Sequence, residues 1–296
     1  MKDISQADLQ NNLKLVARKS EDEPIKQVDI GYGIKIGGSK VVVIAGPCAL
    51  ETKEDRTVSE IAKHVKEAGA HALRAGVYKP VTFPHILSDK TKYPNLNEEG
   101  YKILAEAGKK HSMPVVSEVG SHTDVAMVAK YIDVLQVGTR NMHNVQLLEA
   151  VAKTNKPVIL KRHFGASLRD WLGAAEHIAY HRGSSDGIIL CERGVVAPHT
   201  HNVNARFLPD IAAIVYAKMY SHLPVLFDPS HSTFERKIVA AMARAAVAAG
   251  ADGLLIDVHP VPSEALIDPL QALDYSSFDK LVKEIKGTAN VIGRDV

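Results

Sequence analysis

Short apolar runs, rich in β-branched residues, recur along the chain at fairly even intervals: VVVIAG (41–46), ALRAG (72–76), PVVSEV (114–119), VLQVG (134–138), PVILKR (157–162), GIILCE (187–192), PVLFDP (224–229) and GLLIDVH (253–259). They read as about eight buried parallel strands, because a strand covered on both faces carries continuous apolar residues rather than an alternation. Between them lie segments with apolar residues at helical spacing, such as EDRTVSEIAKHVKEAG, TDVAMVAKYI, NVQLLEAVAKT, SLRDWLGAAEHIAYH and RKIVAAMARAAVAAG, several ending in Gly or a basic turn. The repeated unit is strand, loop, helix. About eight such units with right-handed crossovers close a barrel, so the pattern predicts an α/β fold, a (β/α)₈ TIM barrel; an open doubly wound sheet is the alternative.

Roughly the first 40 residues stand outside this alternation. DIGYGIKIGG is a Gly-punctuated pair of short extended runs, and the residues before it are polar and mildly helical. The expected organisation is an N-terminal arm and β-hairpin over residues 1–38, the hairpin closing the bottom of the barrel, followed by a catalytic barrel over 39–296. Two long irregular connections, KPVTFPHILSDKTKYPNLNEEG and GVVAPHTHNVNARF, follow strands, where loops of this fold cover the substrate.

Composition adds mainly exclusions. A length of 296 residues suits one barrel of about 250 residues with a short extension. A formal net charge of +2 gives no general attraction for nucleic acid or membrane, which leaves a small molecule as the expected partner. Neither a long apolar span nor a signal-peptide pattern is present, so a cytoplasmic location is expected. The two cysteines, Cys48 and Cys191, are too few for a disulfide framework and read as core residues or metal ligands. No added regulatory domain is expected beyond the arm and hairpin.

Polar residues stand at nearly every strand end: Cys48, Arg74 with Lys79, Glu118, Arg140, Lys161 with Arg162, Glu192 with Arg193, Asp228 with His231, and Asp257 with His259. In a barrel these ends face one cavity. Arg74, Lys79, Arg140, Lys161 and Arg193 would repel one another around that cavity unless a polyanion resolved the conflict, so a phosphorylated, carboxylated substrate is expected. Cys48, His231, Asp257 and Asp268 mix thiolate, imidazole and carboxylate donors, a set suited to a divalent metal such as Mn²⁺, Fe²⁺, Zn²⁺ or Co²⁺. Their spacing is not diagnostic: a buried Cys48 and a helix-capping His231 fit it equally. An anion cage beside a Lewis acid points to a carbonyl activated next to a phosphate ester.

The landmarks VVVIAGPCALE, LRAGVYKP, PVVSEV, DVLQVGTRNMHNVQLLEAVAKTNKPVILKR, WLGAAEHI, IILCERG, LPVLFDPSHST and RAAVAAGADGLLIDVHPVPSEALIDPLQAL together resemble the 3-deoxy-heptulosonate 7-phosphate (DAHP) synthases, in the short subgroup close to the 3-deoxy-octulosonate 8-phosphate synthases. The resemblance runs from about Lys26 to Leu273 and implies a metal-dependent condensation of phosphoenolpyruvate (PEP) with an aldose or aldose phosphate, releasing phosphate, in a dimer or tetramer. It implies Cys48, His231, Asp257 and Asp268 as metal ligands, with His231 also counted among the catalytic residues. Arg74, Lys79, Arg140, Lys161 and Arg193 become the PEP cage, and Glu118 a polar partner near the reacting carbons. Lys79 becomes the general acid, with Glu118 or a metal-held water taking the proton of the attacking water. Three departures touch acceptor recognition: Val81 replaces an Arg, HNVNARF replaces a TRNT-like stretch, and His163, Phe164 and Gly165 replace small residues. Thr82, Arg206 and Arg236, with His199 and His201, are then candidates for a relocated acceptor grip; the alternative is an acceptor without phosphate. Asp257 stands where the family has Glu. Erythrose 4-phosphate is the leading acceptor, against a different aldehyde, a lyase using Lys161 as a Schiff base, or a PEP-binding sensor without catalysis.

Overall fold

The computed structural model describes residues 11–51, 55–79, 96–197 and 207–296. Eight strands, β3 (Val42–Gly46), β4 (Ala72–Arg74), β5 (Val115–Val119), β6 (Val134–Val137), β7 (Val158–Lys161), β8 (Ile188–Glu192), β9 (Val225–Phe227) and β10 (Gly253–Asp257), follow the apolar runs. All pair in parallel in chain order, and β10 pairs with both β9 and β3, which closes the barrel and excludes the open sheet. Helices α1 (Asp55–Ala68), α2 (Asn97–Lys110), α3 (Val125–Val128), α4 (Val145–Ala152), α5 (Leu168–Arg182), α6 (Ile211–Tyr220), α7 (Pro229–Thr233), α8 (Arg236–Ala248) and α9 (Tyr275–Val291) form the outer layer.

Period-two alternation along the strands divides the core in two. Val43, Ala45, Leu73, Val115, Leu135 and Leu160 point outward into the cluster shared with the helices. Val42, Ile44, Ala72, Val116, Val134, Ile159, Ile189, Cys191, Leu226 and Leu255 fill the interior. Val28, Ile30 and Ile36 belong to that interior cluster. They come from an antiparallel pair, β1 (Val28–Asp29) with β2 (Lys35–Ile36), tightened by a hydrogen bond from the Ile30 amide to the Ile34 carbonyl. The pair therefore packs its apolar side chains against the floor of the barrel.

Two elements differ from the sequence pattern. The segment TDVAMVAKYI forms only the single helical turn α3, because the chain must reach β6 at Val134, where Asp133 accepts a hydrogen bond from the Val115 amide at 2.9 Å. The connection read as irregular up to Gly100 turns helical at Asn97. Glu98 and Glu99 in that first turn favour the positive end of the helix dipole.

Gly46, the last residue of β3, is required by packing. Its φ is +152°, and a Cβ there would lie 2.1 Å from the Arg74 carbonyl oxygen of the adjoining strand.

Candidate active site and metal cluster

The polar ring sits one pleat beyond the apolar interior. Two residues past an inward Ala72, Val116, Ile159, Cys191, Leu226 and Leu255 come Arg74, Glu118, Lys161, Arg193, Asp228 and Asp257. All six of these are buried. The same alternation sends their neighbours elsewhere. Arg162 faces outward, where it pairs with Glu192 and Asp210 at 2.8 Å each and lies 5.9 Å from the centre of the Trp171 ring. His259 faces Glu51 at 3.4 Å, outside the cluster.

Cys48, His231, Asp257 and Asp268 converge, with one donor atom of each within 4.8 Å of all the others. His231 Nε2 lies 3.7 Å from Cys48 Sγ and 3.6 Å from Asp268 Oδ2, and Cys48 Sγ is 3.1 Å from Asp268 Oδ2. A thiol, an imidazole and two carboxylates at this separation fit a divalent transition ion. Burial pushes the Cys48 thiol far up, and Asp257 adds to the shift while Lys79 opposes it. A bound cation would displace that proton. Asp268 reaches the cluster from a backbone with φ of +56°, a left-handed conformation that aspartate tolerates better than most residues.

The cations of the ring are bonded to this cluster. Arg74 Nη1 donates to Asp257 Oδ1, Lys79 Nζ to Cys48 Sγ at 3.0 Å, and Lys161 Nζ to Asp228 Oδ2 at 2.5 Å. Asp228 in turn lies 2.9 Å from His231 Nδ1. Burial acts to raise the Asp228 and Asp257 carboxyls, but it is outweighed by His231 and Lys161 at the first and by Arg74 and His231 at the second, so both stay below the ordinary range. Burial lowers Lys79, yet Cys48, Glu118 and Asp257 together outweigh it. Arg193 differs: its Nε and Nη1 are buried without a hydrogen-bond partner among the described residues, its plane rests 4.0 Å from the Phe207 ring centre, and burial depresses it. Arg140 is exposed on the turn Thr139–Asn141, and its charge reaches Arg193.

Glu118 accepts from Gln136 Nε2 at 3.2 Å, and its carboxylate occupies space that a side chain at position 138 would fill, since a Cβ on Gly138 would fall 1.9 Å from Glu118 Oε1. Among the acceptor candidates, Thr82 and Arg206 lie outside the described residues, as do Val81, His199 and His201. Arg236 is turned to the backbone of the loop between β10 and α9. Its guanidinium donates to the carbonyls of Ala272, at 2.5 Å, and Pro269, at 2.7 Å, which ties down the loop carrying Asp268. Sequence reasoning missed Gln271, whose amide donates to Asp257 Oδ2 at 2.6 Å; its signal is its place in IDPLQAL, three residues past Asp268.

This cluster and cation ring sit in a chain whose residues 15–292 match the family model described as the DAHP synthetase I family. The chain belongs to the DAHP synthetase I family. It is 40% identical over 280 residues to a phospho-2-dehydro-3-deoxyheptonate aldolase of Thermotoga maritima, covering 95% of this chain and 78% of that one. A crystal structure of phospho-2-dehydro-3-deoxyheptonate aldolase (DAHP synthase) from Thermotoga maritima superposes with a TM-score of 0.85 at 40% identity, covering 96% of this chain and 78% of that one. A 2-dehydro-3-deoxyphosphooctonate aldolase of an Azoarcus species is 28% identical over 273 residues, 88% of this chain and 95% of that one. Membership in the DAHP synthetase I family agrees with the resemblance of the landmark motifs. Among the described residues, no helix is long and apolar enough to cross a membrane.

Proposed function

We propose that the chain condenses PEP with an aldose phosphate, erythrose 4-phosphate as the leading acceptor, to give 3-deoxy-7-phosphoheptulonate and inorganic phosphate. The observation that carries the reading is the buried Arg193 guanidinium with two unsatisfied nitrogens beside the four-donor cluster. A buried guanidinium with two nitrogens unbonded among the described residues calls for an anion, and a phosphate ester bearing a carboxylate supplies one.

Arg74, Lys79, Arg140, Lys161 and Arg193 bind the carboxylate and phosphate of PEP and hold its C3 toward the aldehyde. Cys48, His231, Asp257 and Asp268 would hold a divalent ion, which when bound polarises the acceptor carbonyl. A bond forms from C3 to the aldehyde carbon, and Lys79 donates a proton to the new alkoxide. Water adds at C2 while Glu118 takes its proton. The adduct then breaks its bond from C2 to the ester oxygen, releasing phosphate and leaving the ketone. Lys161 Nζ is engaged by Asp228 Oδ2 at 2.5 Å, a contact that favours its place in the anion cage over attack on a carbonyl as a Schiff-base lysine.

The same chemistry on another aldehyde is the second reading. It is favoured by rings that succeed one another beside Arg193: Phe164 to Phe207 at 5.5 Å and Phe207 to Phe234 at 5.6 Å. PEP consumption and phosphate release, measured with erythrose 4-phosphate, arabinose 5-phosphate and unphosphorylated aldoses across Mn²⁺, Fe²⁺, Zn²⁺ and Co²⁺, separate the two. Metal-dependent turnover is expected, fastest with erythrose 4-phosphate; faster turnover with another aldehyde selects the second reading, and none with any overturns both. We also assign the activity to the cytoplasm and to a homo-oligomer, a dimer or tetramer, which sedimentation checks.

A further inference from the structure

Asp228 is buried and approached by three nitrogens. Its Oδ1 accepts from the His231 backbone amide at 2.9 Å, capping α7, while its Oδ2 faces both Lys161 Nζ at 2.5 Å and His231 Nδ1 at 2.9 Å. His231 is fixed on both sides as a result. Its Nδ1 is turned to Asp228, and its Nε2 is turned to Cys48 Sγ and Asp268 Oδ2 at 3.7 Å and 3.6 Å. Nδ1 lies 2.9 Å from Asp228 Oδ2 and 3.6 Å from Asp257 Oδ2 without an aligned hydrogen bond to either among the described residues; a proton held there by the nearer carboxylate leaves the lone pair on Nε2, the tautomer a cation in the cluster needs. The oxygen that sets this tautomer also anchors Lys161, a member of the anion cage.

We propose that Asp228 is a positioning residue that joins the two halves of the site, holding the His231 tautomer for the metal and the Lys161 ammonium for the substrate anion through one carboxylate oxygen. Its position between β9 and α7 suits the task. The residue before Asp228 is strand, the residue after it begins the helix, and its two oxygens accept from the His231 amide and from Lys161. No other carboxylate among the described residues touches both a cage lysine and a cluster histidine.

Asp228→Asn tests this, because the amide keeps an oxygen for the α7 cap and replaces the other with an NH₂ group. Facing that donor, His231 takes the opposite tautomer and presents N–H to the cluster. Co²⁺ titrated against a chromophoric chelator, without PEP or aldehyde, should bind the variant about 10- to 100-fold more weakly, with its thiolate-to-cobalt absorption diminished while far-UV circular dichroism is retained. The KM for PEP should rise in parallel. Lys161→Met serves as the second variant: with Asp228 and His231 undisturbed, it should lose PEP affinity and keep Co²⁺ affinity within about threefold, well short of the loss that removing the orienting carboxylate produces. A folded Asp228→Asn protein that binds Co²⁺ as tightly as the unaltered protein overturns the inference, as does equal loss of Co²⁺ in Lys161→Met. The inference rests on the metal reading above. Failure of the unaltered protein to bind Co²⁺ at all would overturn that reading, whereas Co²⁺ binding insensitive to Asp228→Asn overturns only this one.

Discussion

Asp257 shows how a single residue is fitted to its place. The carboxylate is one methylene shorter than the glutamate that the family resemblance leads one to expect, and both of its oxygens are held, Oδ1 by Arg74 and Oδ2 by Gln271. Its own amide donates to Ser230 Oγ at 3.0 Å, so the short side chain is fixed from three directions. Removing the Gln271 amide leaves a buried carboxylate oxygen without a donor. Gln271→Ala should therefore lower the stability of the metal-free protein by about 1–3 kcal/mol. The deficit should shrink when saturating metal occupies that oxygen, and calorimetric melts with and without metal measure the difference. At this scale the ring was legible in the sequence as polar residues closing the apolar runs, among them Arg74, Glu118, Lys161, Asp228 and Asp257, because the strand ends of a barrel face one cavity. Gln271 was not, because an amide that serves a carboxylate 14 residues away leaves no local pattern.

Helix α8 begins with a residue whose backbone partners the sequence does not show. Arg236 reads as a cation near the mouth, yet the start of α8 aims it at carbonyls of the loop between β10 and α9, and a backbone partner cannot be read from a side-chain pattern. Arg236→Ala should loosen the placement of Asp268 and weaken metal binding by about tenfold, as outer-shell losses do; PEP binding measured by calorimetry in the absence of metal should be little changed. A second element-level prediction concerns the join of β3 and β4. His71 Nδ1 accepts from the Val43 amide at 3.0 Å, and burial, helped by Lys40, Lys66 and Lys286 and opposed by Asp295, lowers its pKa to about 4. The folded value lies below the unfolded one, near 6.5, so the unfolded chain takes up the proton first. Stability is therefore full above about pH 6.5 and is lost as pH falls toward 4. Between pH 7.5 and 5.5 the loss from this group is about 1 kcal/mol. Denaturant melts should show that slope in the unaltered protein and a flatter one in His71→Asn.

Across the whole molecule, closure of the barrel fuses the anion cage to the metal cluster. Arg74 is paired with Asp257 and Lys161 with Asp228, while Lys79 donates to the sulfur of Cys48. A divalent cation drawn into the cluster takes up that negative charge and leaves the cage in excess, which a polyanion relieves. Metal should therefore raise PEP affinity by on the order of tenfold, and PEP should raise metal affinity by the same factor, because linkage is reciprocal. Titration calorimetry in both orders measures the two factors, and independent binding would contradict the charge argument. The sequence by itself determined the barrel, the interior rows and the kinds of charge at their ends, because strand pleat, helix period and turn chemistry are local properties. Only the tertiary structure decided which cation meets which donor. Arg74 and Asp257 are separated by 183 residues and Cys48 and Asp268 by 220, and such pairs exist only once β10 has closed against β3.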